Sequence, residues 1–432
     1  MAWDFETDEE FQTALNWIDR FVREEVEPLD HLLHHPHDVQ NPNNRKLVKP
    51  LQAKVKEMGL WACHLGPDLG GPGYGQLKLA LMNEILGRAR FAPIVFGCQA
   101  PDTGNAEILA HYGTDEQKAR YLKPLLEGDI VSSFSMTEPH AGSDPTMFKV
   151  RAEMDGNHWV INGDKWFSSN ARFASFLIVL AVTDPDAPPT RRMSMFIVPR
   201  ETPGVKILRN VQAGMEGGSD GTHGYVRYTT VRIPADHMLG ERGRGFVVAQ
   251  TRLGGGRIHH AMRTVGQIRR AFDMMCERAL SRVTKGERLA EKQMVQAMIA
   301  DSWIEMEQFR LFVLRTAWRI DRYKNYLMVR KDIAAVKAAM PKVYHDVTTR
   351  ALQIHGSLGM SNEMPLAGMV LASLRMGIVD GPTEVHKVTV ARQVLRDYKA
   401  TEELFPTTHI PALREKAIAK YGHMIELEVG NL

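Results

Sequence analysis

The chain has little cysteine, almost no charge imbalance and no long apolar stretch, and each shortage removes a class of explanation. Its three cysteines, Cys63, Cys98 and Cys276, lie far apart in sequence and fit neither zinc-ligand nor redox spacing. So low and odd a count is expected of unpaired thiols in a reducing compartment. The formal charge is +3 over 432 residues, which gives no compositional case for nucleic-acid binding. The longest apolar run, residues 173–182, is ten residues, too short to span a bilayer. The opening MAWDFETDEEF lacks the basic and apolar parts of an export signal. Internal repeats and low-complexity tracts are missing as well. What remains, 44% apolar and 24% charged residues, is the balance of a globular protein, expected to be soluble and cytoplasmic. This length allows two or three domains.

Patterning divides the chain in order. Residues 1–130 predict a helical domain, with Phe11, Leu15, Ile18 and Val22 on one stripe and Pro28 at or just beyond its end. The segment HLLHHPHD holds four histidines, but no carboxylate or cysteine completes a metal set and NPNN follows as a loop. No metal is expected. A second helix spans about Arg45 to Met58 and stops at Gly59. Residues 131–240 predict a compact antiparallel β domain, with strand-like VSSFSMT, KVRAEM, HWVI, FLIVLAV and MSMFIVP between Gly, Asp, Asn and Pro punctuation. Residues 241–400 return to helical periodicity. One face carries Met262, Val265, Ile268, Phe272, Met275 and Ala279, another Ile299, Trp303, Met306, Val313, Ala317 and Ile320. Pro341 is expected to start or kink the next helix, which Gly356 stops. Residues 401–432 read as a peripheral tail of mixed charge. The fold class is α+β.

Three stretches carry chemistry. Met136-Thr137-Glu138-Pro139-His140-Ala141-Gly142-Ser143-Asp144 leaves the first strand with small and hydroxyl residues that let backbone N–H groups approach a ligand. It can equally be a plain strand-to-loop transition. Asn162 to Asn170, NGDKWFSSN, predicts a hairpin turn at its Asn-Gly, with paired aromatics that suit a core as well as a cofactor platform. Asp380-Gly381-Pro382-Thr383 reads as a turn leading into a helix.

Together with PDTGNAEILAHYGTDEQKARYLKPLLEGD and QIHGSLG, these stretches resemble the acyl-CoA dehydrogenases over roughly residues 5 to 398. RLGGGRIHHAMR and DGPTEVH are similar to the branch that in animals is fused behind a kinase-like domain. The resemblance implies an N-terminal helical domain, a central β domain and a C-terminal four-helix bundle, with FAD as cofactor. It assigns Met136, Thr137 and Ser143 to the flavin, Phe167 to the place of a flavin-stacking Trp, and Ser169 to that of a Thr. Arg282, Gln293, Gln353, Gly356 and Ser357 are implied to reach the FAD of a neighbouring subunit, so a homodimer or homotetramer follows. Pro382, Thr383 and Glu384 complete the flavin set. Ser143, Leu253, Gly254, Arg257 and Gly381 are implied to meet acyl-CoA; Gly256 stands where a minority of relatives place a catalytic Glu.

Asp380 takes the place of the Glu that most relatives use as α-proton base. The implied reaction is α,β-dehydrogenation to the trans-2-enoyl-CoA, with hydride passing to flavin N5 and a separate electron-transfer flavoprotein as acceptor, as in fatty-acid β-oxidation. Burial beside an acyl chain is expected to raise the Asp380 pKa. Two other readings remain open: a nitroalkane-oxidase-like flavoprotein, and a DNA-associated flavin-bearing stress protein, for which residues 401–432 lack a basic excess.

Overall fold

The computed structural model describes residues 6–69, 71–214 and 221–425. Helix α1 (Glu9–Phe21) starts where the Asp8 side chain accepts from Phe11 N–H, and it buries Phe11, Leu15, Ile18 and Phe21. Its stripe is the one its spacing predicts. Helix α2 (Pro42–Glu57) is capped by Asn41, and α3 (Gly75–Leu86) and α4 (Asp102–Tyr112) follow. After the strands come α5 (Gly245–Ser281), α6 (Gln293–Tyr323), α7 (Arg330–His355), α8 (Leu366–Met376) and α9 (Thr383–Leu395). Helix α10 (Ile410–Tyr421) has no buried residue.

The helices before and after the strands share one core. Phe11, Leu79 and Met82 pack in the same cluster as Met262, Val265, Met306, Val336 and Met340. α7 lies against α5, α6, α8 and α9, while α3 rests on α5 and α6. Two local expectations fail here. Pro341, expected to start or kink a helix, does not start one: α7 begins at Arg330 and carries Pro341 in its interior. Trp303, placed by periodicity on the buried face of α6, is 52% exposed, because the apolar stripe is wider than the surface the other helices cover.

Between the helical parts lies a seven-stranded sheet: β1 (Ser132–Ser135), β2 (Arg151–Asp155), β3 (His158–Ser169), β4 (Phe176–Val182), β5 (Met193–Pro199), β6 (Val205–Val211) and β7 (His223–Pro234). The order is β1-β4-β2-β3-β7-β6, with β5 also on β4. The pairing departs from the antiparallel expectation at β1, which runs parallel to β4, and at the single residue pair joining β2 to β4. β4 is apolar throughout because both of its faces are covered. Phe176, Ile178 and Leu180 join a cluster with Ile108 and Leu109 of α4, while Leu177, Val179 and Ala181 face Trp159 and Phe196.

The Asn162-Gly163 pair is not the hairpin turn its chemistry suggests. It lies inside β3, where the register against β7 shifts between Ile161 and Gly163. Gly163 has φ +131, and a Cβ there would meet Val150 Cγ2 at 2.8 Å, so glycine serves a bulge. The chain reverses instead at Gly156 and Asn157, with Asp155 opposite His158.

Candidate active site

The site is built on the first third of α5, where Gly254, Gly255 and Gly256 leave the helix bare. Each missing side chain makes room for a visitor. Tyr326 Cγ lies 3.2 Å from where a Gly254 Cβ would stand, Glu107 Oε2 3.1 Å and Tyr326 Oη 3.3 Å from that of Gly255, and Asp380 Oδ2 3.2 Å from that of Gly256. Two carboxylates, from α4 and from the turn after α8, thus converge on neighbouring positions of one helix.

Asp380 has φ +53, a left-handed conformation that a non-glycine residue adopts rarely, and Gly381 follows at φ +104. Surrounding groups hold this strained turn. Arg257 Nε donates to the Asp380 carbonyl oxygen at 2.9 Å, and His386 Nε2 lies 3.3 Å from the same oxygen. Thr383 N–H donates to the Gly377 carbonyl at 2.9 Å, and Lys337 Nζ, fully buried, donates to that of Met376. The Asp380 side chain is 16% exposed. Its Oδ1 is 4.0 Å from Arg252, and its Oδ2 3.4 Å from His260 Nε2.

Charge decides the state of this carboxylate. Burial pushes its pKa up, but the opposing pull of His260 when protonated and of Arg252, Arg257 and Lys337 is greater and holds it below the ordinary aspartate value. This corrects the expectation of a raised pKa, which counted burial and none of the cations that folding gathers. Glu107 shows the other outcome: burial pushes it up to about 7, against the pull of Arg252. Asp102 is pushed up to about 6 by burial, although Ser132, Gln99 and Arg252 oppose it. Arg252 is pinned between these groups, its Nε donating to Asn105 Oδ1 at 3.0 Å and its guanidinium 4.0 Å above the Phe134 ring. Phe134 lies on β1, so Arg252 also joins Asp380 to the strand that leads into Met136 and Thr137.

That loop is held from below. Lys165 Nζ, buried, donates to the Met136 carbonyl at 2.7 Å and to Glu138 Oε1 at 3.0 Å, and Glu138 accepts from the N–H groups of Lys149 and Val150. Trp166 N–H donates to the Thr137 carbonyl at 2.8 Å. β3 bulges again between Lys165 and Ser168, and Phe167 stands out from the bulge with φ +54 and 39% exposure. Its ring stacks on His223 at 5.0 Å, and Ser169 Oγ is 2.9 Å from His223 Nδ1.

The sequence-derived residues therefore fall into groups. Met136, Thr137, Phe167 and Ser169 adjoin through β3, and Asp380, Gly381, Pro382 and Thr383 form a turn that Arg257 of α5 contacts. Ser143 and Glu384 are exposed nearby in sequence. Leu253 and Gly254 are buried, Gly254 beneath the Tyr326 ring, so they present no ligand surface in this conformation. Arg282, Gln293, Gln353, Gly356 and Ser357 are all exposed. Arg282 is 25 positions beyond Arg257, at the end of α5, roughly 37 Å along the helix. One chain does not bring it to Asp380.

Sequence reasoning missed Arg252, His260, Lys337, His386, Glu107 and Tyr326. The one available signal was charge and imidazole inside an otherwise apolar helix face. It also missed that Cys63 and Cys98, distant in sequence, are both buried and close enough to act on one another.

Comparison with known proteins now bears on this geometry. Family models for the N-terminal, middle and C-terminal domains of acyl-CoA dehydrogenase match residues 8–129, 133–230 and 243–395. A Mycobacterium tuberculosis protein named "Probable acyl-CoA dehydrogenase FadE2" is 42% identical over 82% of this chain and 87% of its own length. Acyl-CoA dehydrogenase family member 11 of Rattus norvegicus is 38% identical over 89% of this chain, which spans 50% of that longer protein. Among solved structures, butyryl-CoA dehydrogenase of Megasphaera elsdenii superposes with TM-score 0.77 at 27% identity, covering 91% of this chain and all of that one.

Proposed function

The chain belongs to the acyl-CoA dehydrogenase family, and from that premise we propose that it is an FAD-dependent enzyme that converts an acyl-CoA thioester to its trans-2-enoyl-CoA. The observation that carries the reading is Asp380: a carboxylate held in a strained turn, mostly out of water, and kept ionised by three cations. A base must be ionised, and the cations around this carboxylate favour that state.

The residues present suit FAD. Phe167 offers an exposed aromatic face on a bulge, with Ser169 beside it and the Met136–Thr137 backbone alongside. These would hold the flavin ring, with Ser143, Pro382, Thr383 and Glu384 at its margins. When bound, FAD supplies the hydride acceptor. Asp380 removes the α-proton of the thioester. Arg252, Arg257 and Lys337 keep its carboxylate charged, and Arg257 and His386 hold its backbone in place. Arg257, Gly381 and Ser143 are assigned to the substrate, with Leu253, which is buried, and Gly254, which would need Tyr326 to move before touching it. Arg282, Gln293, Gln353, Gly356 and Ser357 are assigned to the FAD of a second chain, so the working unit is at least a dimer. A separate electron-transfer flavoprotein is the proposed oxidant.

The test is an anaerobic titration of the purified yellow protein with acyl-CoA thioesters, followed by flavin absorbance. Wild type should bleach, whereas Asp380→Asn should keep its FAD and stay yellow. Full bleaching by the variant removes Asp380 from the role of base. Bleaching by nitroalkanes with no response to any acyl-CoA replaces the substrate class. Because the cations hold the free carboxylate below its ordinary 3.8, lowering the pH from 7 to 5 should not switch off the base.

A further inference from the structure

We propose that His260 is a second catalytic residue, the group that takes the α-proton on from Asp380 and delivers it to water. The inference rests on the reading of Asp380 as the base. Gly256 and His260 are one helical turn apart on the same face of α5. The absent side chain at Gly256 lets Asp380 Oδ2 lie against the helix, and His260 Nε2 is 3.4 Å from that oxygen. The short reach of aspartate and the bare glycine together bring the carboxylate to this imidazole.

The surroundings explain why a partner is needed. Arg252, Arg257 and Arg263 on α5 and Lys337 on α7 all act on Asp380 or His260, and His386 of α9 and His259 of α5 are adjacent; Glu107 of α4 faces Arg252. This field favours the carboxylate and opposes the neutral acid that proton abstraction creates. His260, 23% exposed, is the imidazole in contact with that acid. Burial, outweighing the pull of Asp380, brings its pKa down to about 4, so it rests neutral with a nitrogen lone pair available. At rest the two atoms lie 3.4 Å apart without the alignment of a hydrogen bond. Such contacts tighten when the reacting groups assemble.

The step balances without any redox partner. The α C–H bond breaks as an oxygen lone pair of Asp380 takes the proton. That O–H bond then breaks as the Nε2 lone pair forms an N–H bond. The imidazolium releases a proton from Nδ1 to water, and its tautomers re-equilibrate through solvent.

A stopped-flow experiment on the flavin-loaded enzyme separates relay from packing. Enzyme and acyl-CoA are mixed anaerobically in weak buffer with a pH indicator, and bleaching and proton release are followed together. Wild type should release its proton in step with bleaching. His260→Gln keeps a polar side chain of similar size but cannot take a proton. It should bleach within a few-fold of wild type while proton release lags tenfold or more. His260→Asn provides the same measurement should the Gln variant lose flavin. Release that keeps pace with bleaching in both variants overturns the relay, as does a wild type that holds its proton throughout. Asp380→Asn distinguishes the two failures. If it bleaches normally, the base assignment falls and the relay with it; if it stays yellow while His260→Gln releases on time, the relay alone falls.

Discussion

Three consecutive glycines inside a 37-residue helix cost roughly 1 kcal/mol each in helix propensity, and the side chains of Tyr326, Glu107 and Asp380 explain why the chain tolerates that cost. Gly256→Ala sets the two terms against each other. The new methyl should favour the helix, yet it would stand 3.2 Å from Asp380 Oδ2 and press on the carboxylate. The expected result is a melting temperature at or above that of wild type with FAD retained, and acyl-CoA bleaching slowed about tenfold, roughly 1.4 kcal/mol. An unchanged bleaching rate would show that the bare position does not seat the base. Asp380 itself was legible, since Asp-Gly-Pro announces a turn and the neighbouring motifs give it a role. Its electrostatic setting was not. Arg252, His260, Lys337 and His386 come from three helices and more than a hundred positions of sequence, and burial alone gave the wrong sign for the shift.

At the scale of the element, the strand β3 carries more than its hydrogen bonds. Its two bulges turn Phe167 outward and bring Lys165 beneath the Met136–Glu138 loop. Lys165 is fully buried, and burial lowers its pKa to about 8 despite Glu138 beside it. Lys165→Met leaves the Glu138 carboxylate buried without its cation, a loss of about 3–5 kcal/mol. Denaturant unfolding should move to clearly lower concentration, and the flavin should dissociate more readily. A variant that unfolds at the wild-type midpoint with flavin equally firm would mean that the pair does not support the loop. The strands were readable because an apolar run such as Phe176 to Val182 is a local signal. The bulge at Gly163 was not, because β7 and Val150 decide it and Asn-Gly suits both uses. Pro341 misled only as a possible helix start: the packing of α7 against α5, α6, α8 and α9 outweighs one lost backbone donor.

For the whole molecule, the order of helices, sheet and helices could be read directly, since each period persists over many residues. That the outer two parts share a single core could not, because Leu79 and Met262 meet only after the sheet has been passed over. α5 belongs to that core along most of its length and bears Arg257 and Arg282 at well-separated levels. On the proposed assignment it is a spacer between the end that seats Asp380 and the end assigned to a neighbour's flavin, and each catalytic centre would then draw on two polypeptides. Two defective chains should therefore repair one another. Asp380→Asn and Arg282→Glu, each inactive alone, should regain about a quarter of wild-type turnover when coexpressed and randomly paired, because every mixed dimer contains one centre free of both lesions. Persistent inactivity of the mixture, with mixed dimers demonstrated by differential tagging, would place both residues in the same centre.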